Sequence, residues 1–172
     1  KSVPGVAALS TGPAISKPFI RGLGYNRVIT INDGVRQEGQ QWGDEHGIEV
    51  DQYGISRAEV VKGPASLTYG SDALAGVINM IPDIPEVEKG KLKGSFLTDY
   101  HSNNGMIGSS LGLVYNKNDW KYVLRGTVKA AHNYRNKVDG FVYGTAFREY
   151  NLSALARVDK AWGHSQWGAT LY

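Results

Sequence analysis

The sequence predicts an α+β domain followed by antiparallel β-strands of an incomplete transmembrane β-barrel. Three observations lead to this fold class. Residues 1–82 mix short β-like runs with turn signals, and Pro82 and Pro85 mark a linker over residues 83–90. Residues 91–172 alternate apolar and polar side chains with a period close to two. We therefore expect two parts of different architecture in one chain.

The composition is that of a folded protein and excludes several classes of function. The 172 residues are 41% hydrophobic and 20% charged, which is compatible with a packed core. The formal charge of +3 is spread along the chain, so no nucleic-acid partner is predicted. The sequence has no cysteine, which excludes disulfides and thiolate metal sites. It also lacks the run of about eighteen apolar residues that a membrane-spanning helix needs.

Turn residues divide the first part into short elements. Val28 to Asn32 has the composition of a strand, and the Asp33-Gly34 dipeptide after it readily adopts the positive φ angles of a type I′ hairpin turn. Val35 restarts the extended pattern. The remaining predicted elements are a strand from Ile55 to Val61, one helical turn from Ala65 to Tyr69, and a buried strand from Ala75 to Ile81 that Pro82 ends.

Long alternating segments fill the second part. From Trp120 onward one face is apolar, and the other carries Lys121, Arg125 and Lys129. A soluble antiparallel sheet with one wet face explains this alternation as well as a membrane barrel does. Segment length and the small residues on the apolar faces favour the barrel. Aromatic residues near the segment ends favour it further, at Tyr100, Tyr115, Trp120, Tyr134, Tyr150 and Trp162.

Five short motifs in the first part occur in a fixed order. They are Arg21-Gly22, Asp33-Gly34-Val35, the run from Glu59 to Pro64, Tyr69-Gly70, and the run from Gly76 to Asn79. As a set they resemble the plug domain of the TonB-dependent outer-membrane receptors of Gram-negative bacteria. The resemblance implies that residues 1–82 are a plug domain whose first part lies outside the given residues. It also implies that residues 91–172 supply the first five or so of about 22 barrel strands.

The resemblance carries expectations about function. It implies an outer-membrane receptor that binds and imports a scarce nutrient, such as a ferric siderophore, haem or cobalamin. The expected partners are this small-molecule or metal-chelate cargo, outer-membrane lipid, and the TonB complex through a segment outside the given residues. No cofactor is implied. A soluble β-rich extracellular binding or adhesion module is the alternative.

Substrate contacts in this family come from outward-facing apices of the plug, which are loops. The best candidate is the loop from Gln37 to Gly47, which we expect to expose six side chains, namely Gln40, Gln41, Trp42, Asp44, Glu45 and His46. A structural loop with Trp42 packed underneath is the alternative. The turn from Arg21 to Arg27 is a second candidate and contributes Tyr25 and Asn26.

Acidic residues around His46 do not complete a metal site. The loop and its flank hold Asp44, Glu45, Glu49 and Asp51, but no second histidine stands at a spacing that would complete the usual set. Catalysis is not predicted either, because a glycine-rich loop is a poor scaffold for a carboxylate pair.

A separate set of charged residues is expected to face the barrel wall. Arg57, Glu59 and Lys62 lie on or just after the predicted strand from Ile55 to Val61, where they could pair with carboxylates of the wall. A solvated strand face is the alternative explanation, since exposed ion pairs contribute little to stability.

Overall fold

The computed structural model describes residues 3–12, 15–41 and 47–172. The chain divides into two compact units, Lys1–Asp83 and Ile84–Tyr172. Both are built from strands, and helical structure in the described ranges consists of four short 3-10 segments, so the α+β expectation holds only in part. None of the helices described is long and apolar enough to cross a membrane.

In its described residues the first unit contains six strands and the four 3-10 segments. The strands are β1 (Val6–Gly12), β2 (Ile15–Ile20), β3 (Val28–Asn32), β4 (Val35–Gln37), β5 (Ile55–Val61) and β6 (Gly76–Pro82). The 3-10 segments are Tyr25–Arg27, Gly39–Gln41, Gln52–Gly54 and Pro64–Tyr69. Strands β1 and β2 form an antiparallel hairpin. The other four form a sheet of order β4-β3-β6-β5, in which only the β3–β6 pair is parallel.

The predicted hairpin turn between β3 and β4 is confirmed. Asp33 and Gly34 both have positive φ, at 50° and 78°, and Asn32 pairs with Val35 across the turn. Two residues with positive φ are what the type I′ turn requires. The predicted bounds of β3 and β5 are also those of the structure.

Among the described residues of the first unit, the buried apolar side chains form two small clusters. Ile20, Val28, Ala75 and Ile78 form one of them. Ile29, Ala73 and Val77 form the other. Because successive residues of a strand point to opposite faces, β3 and β6 each contribute to both clusters. The central parallel pair of the sheet is therefore buried on both sides.

The second unit is an antiparallel meander. Its strands are β7 (Leu92–His101), β8 (Met106–Lys117), β9 (Trp120–Ala131), β10 (Arg135–Asn136), β11 (Gly140–Phe141), β12 (Phe147–Lys160) and β13 (Gly163–Leu171). Five of them form one sheet of order β13-β12-β9-β8-β7, while β10 and β11 pair separately. In the described residues the five-stranded sheet is open, with β7 and β13 at its edges. The predicted antiparallel strands are thus confirmed.

Strand β9 exposes its apolar side chains and buries its charged ones. Leu124 and Val128 are 45% and 48% exposed, whereas Arg125 and Lys129 are 4% and 7% exposed. The buried Lys129 ammonium donates to Oε1 of Glu149 on β12 at 2.8 Å. This arrangement is the inverse of an ordinary soluble sheet, whose apolar face is buried and whose polar face is wet.

Candidate functional site

The structure brings the two predicted apex segments to one buried side chain, Lys17 of β2. Lys17 is 1% exposed. Its Nζ donates a hydrogen bond of 3.3 Å to the carbonyl oxygen of Gln40. The same Nζ lies 4.7 Å from the ring centroid of Tyr25, which is within the range of a cation–π contact. Gln40 belongs to the first apex candidate and Tyr25 to the second.

Tyr25 is held in place by β2 and by its own backbone. Its ring meets the ring of Phe19 edge-on, with centroids 5.7 Å apart and planes at 79°. Its φ of 55° lies in the left-handed region that non-glycine residues rarely adopt. A Cβ on the preceding Gly24 would lie 2.7 to 2.8 Å from the Phe19 ring, so a larger residue there would displace that ring. Tyr25 is half-buried, while Asn26 beside it is exposed.

Gln40 differs from the expectation of an exposed cargo-facing side chain. It is fully buried, and its Nε2 donates a long hydrogen bond of 3.5 Å to the Val28 carbonyl oxygen. Its Oε1 is buried without a hydrogen-bond partner in the part of the chain that the structure describes. Gln41 is half-buried. Gln40 therefore makes its contacts below the surface, whereas we expected this loop residue to be exposed.

The central residues of the first apex loop lie outside the described residues. These are Trp42, Asp44, Glu45 and His46, so their predicted role stays a prediction. Both ends of the loop are described, and they lie against each other. A Cβ on Gly39 would be 3.4 Å from the Gly47 carbonyl oxygen, and a Cβ on Gly47 would be 3.3 Å from the Ser16 backbone nitrogen on β2. The loop therefore begins and ends over the same strand that carries Lys17.

Asp51, one of the acidic residues weighed for metal binding, has a structural role. Its Oδ1 accepts a hydrogen bond of 3.1 Å from the Tyr53 backbone N–H and so caps the 3-10 segment Gln52–Gly54. Glu49 is exposed. Among residues 3–12, 15–41 and 47–172, no group of three or more His, Asp or Glu side chains could hold a metal ion.

The three residues predicted to face the barrel wall have partners within the first unit. Arg57 Nε and Glu59 Oε1 are 2.9 Å apart, and both side chains are exposed. Lys62 Nζ donates to the Pro4 carbonyl oxygen at 2.8 Å. Contact with the barrel wall stays a prediction for all three.

In the second unit, residues 86–91 make contacts that the sequence did not predict. The Gly90 N–H donates to the Asn116 carbonyl oxygen at 2.7 Å, and Asn116 Nδ2 donates to the Val87 carbonyl oxygen at 2.8 Å. Lys121 Nζ reaches Glu86 Oε1 at 2.8 Å. The segment is therefore tied to the end of the β8–β9 hairpin.

Asp119, in the turn of that hairpin, joins the same segment to β12. One carboxylate oxygen accepts a hydrogen bond from Lys160, and the other lies 3.7 Å from the Lys89 ammonium. The hydrogen bond and the positive charge of Lys160, followed by those of Lys89, lower the pKa of Asp119 below its usual value of 3.8. Lys89 and Lys160 are far apart in the sequence, which explains why spacing gave no sign of this cluster.

Comparison with known proteins agrees with this architecture. Residues 1–77 match the TonB-dependent receptor plug domain family. An iron-regulated outer membrane virulence protein of Vibrio cholerae is 42% identical over 88 residues, which is 47% of this chain and 13% of the relative. The vitamin B12 transporter BtuB of Vibrio vulnificus is 38% identical over 94 residues, or 54% and 15% of the two chains. A hemin receptor of Yersinia pestis is 40% identical over 79 residues, or 45% and 12%.

Solved structures share the fold. The copper transporter OprC superposes with a TM-score of 0.83 at 16% sequence identity, over 97% of this chain and 26% of that one. The FrpB iron transporter from Neisseria meningitidis gives 0.79 at 14% identity, over 97% and 27%.

Most of the first unit thus matches a receptor plug domain, and the relatives and structures named above are receptors and transporters rather than members of an enzyme family. The family match over residues 1–77 and the similarity to these receptors confirm the resemblance found in the sequence motifs. The alignments span 12 to 15% of the length of these curated relatives.

Proposed function

We propose that the protein containing this chain is an outer-membrane receptor of a Gram-negative bacterium that imports a scarce nutrient in a TonB-dependent manner. The relatives' names include a vitamin B12 transporter and a hemin receptor. A solved structure of the same fold is a ferric enterobactin receptor with enterobactin bound. The cargo is therefore a small organic molecule or metal chelate of this kind.

The membrane part of the proposal rests on β9, which exposes apolar side chains and buries charged ones. Exposed Leu124 and Val128 make favourable contacts with lipid, while the buried Arg125 and Lys129 avoid it. In this proposal the sheet of the second unit is the first part of a transmembrane barrel. The soluble adhesion module is not favoured, because an aqueous protein would leave this apolar face in water.

The first unit would then act as the plug and carry the outward cargo site. The proposed site comprises Tyr25 and Asn26 on one segment, and Gln41, Trp42, Asp44, Glu45 and His46 on the other, with Gln40 supporting the second segment from below. Tyr25 and Trp42 offer flat apolar surfaces, and the amides and carboxylates offer hydrogen bonds. Cargo that binds one arrangement of these segments better than another would shift the plug toward the state on which TonB acts.

Cargo binding is tested with the full-length receptor in detergent. We expect it to bind one of three probes titrated separately: hemin, vitamin B12 or ferric enterobactin. Trp42→Ala and Tyr25→Ala should each weaken that binding by more than about 1 kcal/mol if the ring is a buried contact. Val35→Ala, on the exposed β3–β4 hairpin, is the matched control and should leave the Kd unchanged. Equal affinities for all four proteins would remove both rings from the site.

Energy coupling is tested by uptake into cells. Radiolabelled cargo should accumulate in cells that express the receptor, and a protonophore should abolish accumulation without changing cargo binding at the cell surface. Uptake that continues after the proton-motive force is dissipated would contradict TonB-dependent import.

A further inference from the structure

We propose that Lys17 is a positioning residue that joins the two apex segments, Tyr25–Arg27 and Gly39–Gln41, so that they respond to cargo as one surface. This inference rests on the proposed function, because it concerns the same site. Lys17 itself is buried and does not touch cargo. It acts through the Gln40 backbone and the Tyr25 ring.

Burial makes the partners of Lys17 energetically important. An ammonium group that is 1% exposed has lost its water shell, so it must be compensated by hydrogen bonds and electrostatic contacts within the protein. The Gln40 carbonyl oxygen at 3.3 Å and the Tyr25 ring at 4.7 Å are two such contacts. A cation–π contact strengthens when the pair is desolvated. If either segment moved away, the buried charge of Lys17 would lose one of its stabilising contacts. The positions of the two segments are therefore linked through Lys17.

Strand β2 is a suitable base for such an anchor. Lys17 and Phe19 are two residues apart and lie on one face of the strand, and both contact the Tyr25 ring. The strand pairs with β1 along most of its length, so its side chains are held by a backbone ladder. One strand therefore supplies two contacts to the Tyr25 ring, and its Lys17 also donates to Gln40.

Two hydrogen bonds are described at Gln40, and the shorter one runs from the Lys17 ammonium to the backbone carbonyl oxygen of Gln40. The amide of Gln40 reaches the Val28 carbonyl oxygen only at 3.5 Å, and its Oε1 has no hydrogen-bond partner among the described residues. We therefore expect the position of Gly39–Gln41 to depend strongly on the ammonium group of Lys17.

The structural part of the proposal is tested on the full-length receptor without cargo. Lys17→Met keeps the approximate length and volume of the side chain but removes the charge and the donor. We expect amide hydrogen exchange to accelerate about tenfold at both apex segments, as loss of a buried charge-assisted contact implies. The ¹⁹F resonance of 3-fluorotyrosine placed at position 25 should shift as well. A side chain that only fills space would change neither readout, and that result would overturn the proposal.

Two further variants test the proposal independently if the Lys17→Met protein does not fold. Tyr25→Leu removes the aromatic face and should accelerate exchange at Gly39–Gln41, whereas Tyr25→Phe keeps the face and should not. Equal exchange at Gly39–Gln41 in the Tyr25→Leu and Tyr25→Phe proteins would contradict coupling through the ring.

Lys62→Met is the control variant for Lys17→Met, because it removes a lysine charge elsewhere in the first unit. Lys62 also donates to a backbone carbonyl, but its hydrogen bond is exposed and lies outside both apex segments. The Lys62→Met protein should therefore show unchanged exchange at both segments. Faster exchange there would show that loss of any lysine charge in the first unit loosens the segments, which would overturn a specific role for Lys17.

The binding part is tested by titrating hemin, vitamin B12 and ferric enterobactin separately. For the probe that the unmodified receptor binds, Lys17→Met should raise the Kd about tenfold, and Lys62→Met should not change it. An unchanged Kd in Lys17→Met would overturn the positioning role. If the unmodified receptor binds none of the three probes, the proposed function is contradicted, while the exchange and ¹⁹F results still decide whether Lys17 joins the segments.

Discussion

Gly76, the first residue of β6, shows how one missing side chain permits the central sheet of the first unit. Its φ is 150°, and a Cβ there would lie 2.5 Å from the Val61 carbonyl oxygen and 2.9 Å from Cδ1 of Ile20. The carbonyl belongs to the neighbouring strand β5, whose Val61 pairs with Val77. It cannot move away without disturbing the ladder.

We predict that Gly76→Ala destabilises the first unit by at least about 2 kcal/mol, through a backbone clash added to backbone strain. Gly22→Ala is the matched control. Gly22 also has a positive φ, of 80°, but a Cβ there meets no atom within 4 Å, so only about 1 kcal/mol of strain is expected. Urea-dependent cleavage of the first unit by a protease, in the full-length receptor, measures both. Equal urea midpoints for the two variants would show that the close approach is relieved at little cost.

Individual residues also show which features could not be predicted from the sequence. The motif that contains Gly76 was recognised, but the clash that explains the glycine involves Val61 and Ile20, which are distant in the chain. Gln40 was expected to be exposed because it is a polar loop residue. Its burial depends on contacts with β2 and β3. Lys17 gave no signal, because a lysine in a short strand usually reaches solvent.

At the level of elements, prediction succeeded where the information is local. The Asp33-Gly34 turn needs only two residues that tolerate positive φ, so its hairpin follows from the sequence. The strands of the second unit follow from alternation, which is also local. Residues 83–90 were expected to form a linker, and alternation says nothing about the contacts that residues 86–91 make. Their ties to Asn116 and Asp119 depend on tertiary structure.

The Asp119 cluster predicts a dependence of stability on pH. Because the pKa of Asp119 is lowered in the folded chain, the ionised carboxylate stabilises the fold at pH values above 3.8. This contribution is lost as the pH falls through the lowered pKa. Asp119→Asn should therefore lower the thermal unfolding midpoint of the receptor near neutral pH, and the difference from the unmodified receptor should shrink as the pH falls below 3.8.

Asp139→Asn is the control for this experiment. Asp139 is exposed and accepts a hydrogen bond from Asn136 within its own turn, away from residues 86–91. Its replacement should not reproduce the pH profile of Asp119→Asn. A difference between the unmodified and Asp119→Asn proteins that stays constant from about pH 7 to about pH 3 would show that the ionised carboxylate contributes nothing there.

At the scale of the whole molecule, the side chains that a face tolerates depend on whether that face contacts water or lipid. In water, a lysine in place of an exposed apolar residue is usually harmless. In a bilayer, the same replacement on the lipid-facing side of a strand costs roughly 2 to 4 kcal/mol at the midplane and much less near the interfaces. The exposed apolar face of β9 therefore offers a direct test of its surroundings.

We predict that Leu124→Lys, near the middle of β9, prevents much of the full-length receptor from reaching the folded state in the outer membrane, because the ammonium would lie in lipid. Val35→Lys is the matched control, since Val35 is 63% exposed but lies on the β3–β4 hairpin of the first unit. The measurement is the amount of receptor in outer-membrane fractions that migrates as a folded, heat-modifiable species, together with the urea midpoint in lipid vesicles. If both variants accumulate equally and unfold at the same urea concentration, the apolar face of β9 does not contact lipid, and the second unit is not part of a membrane barrel.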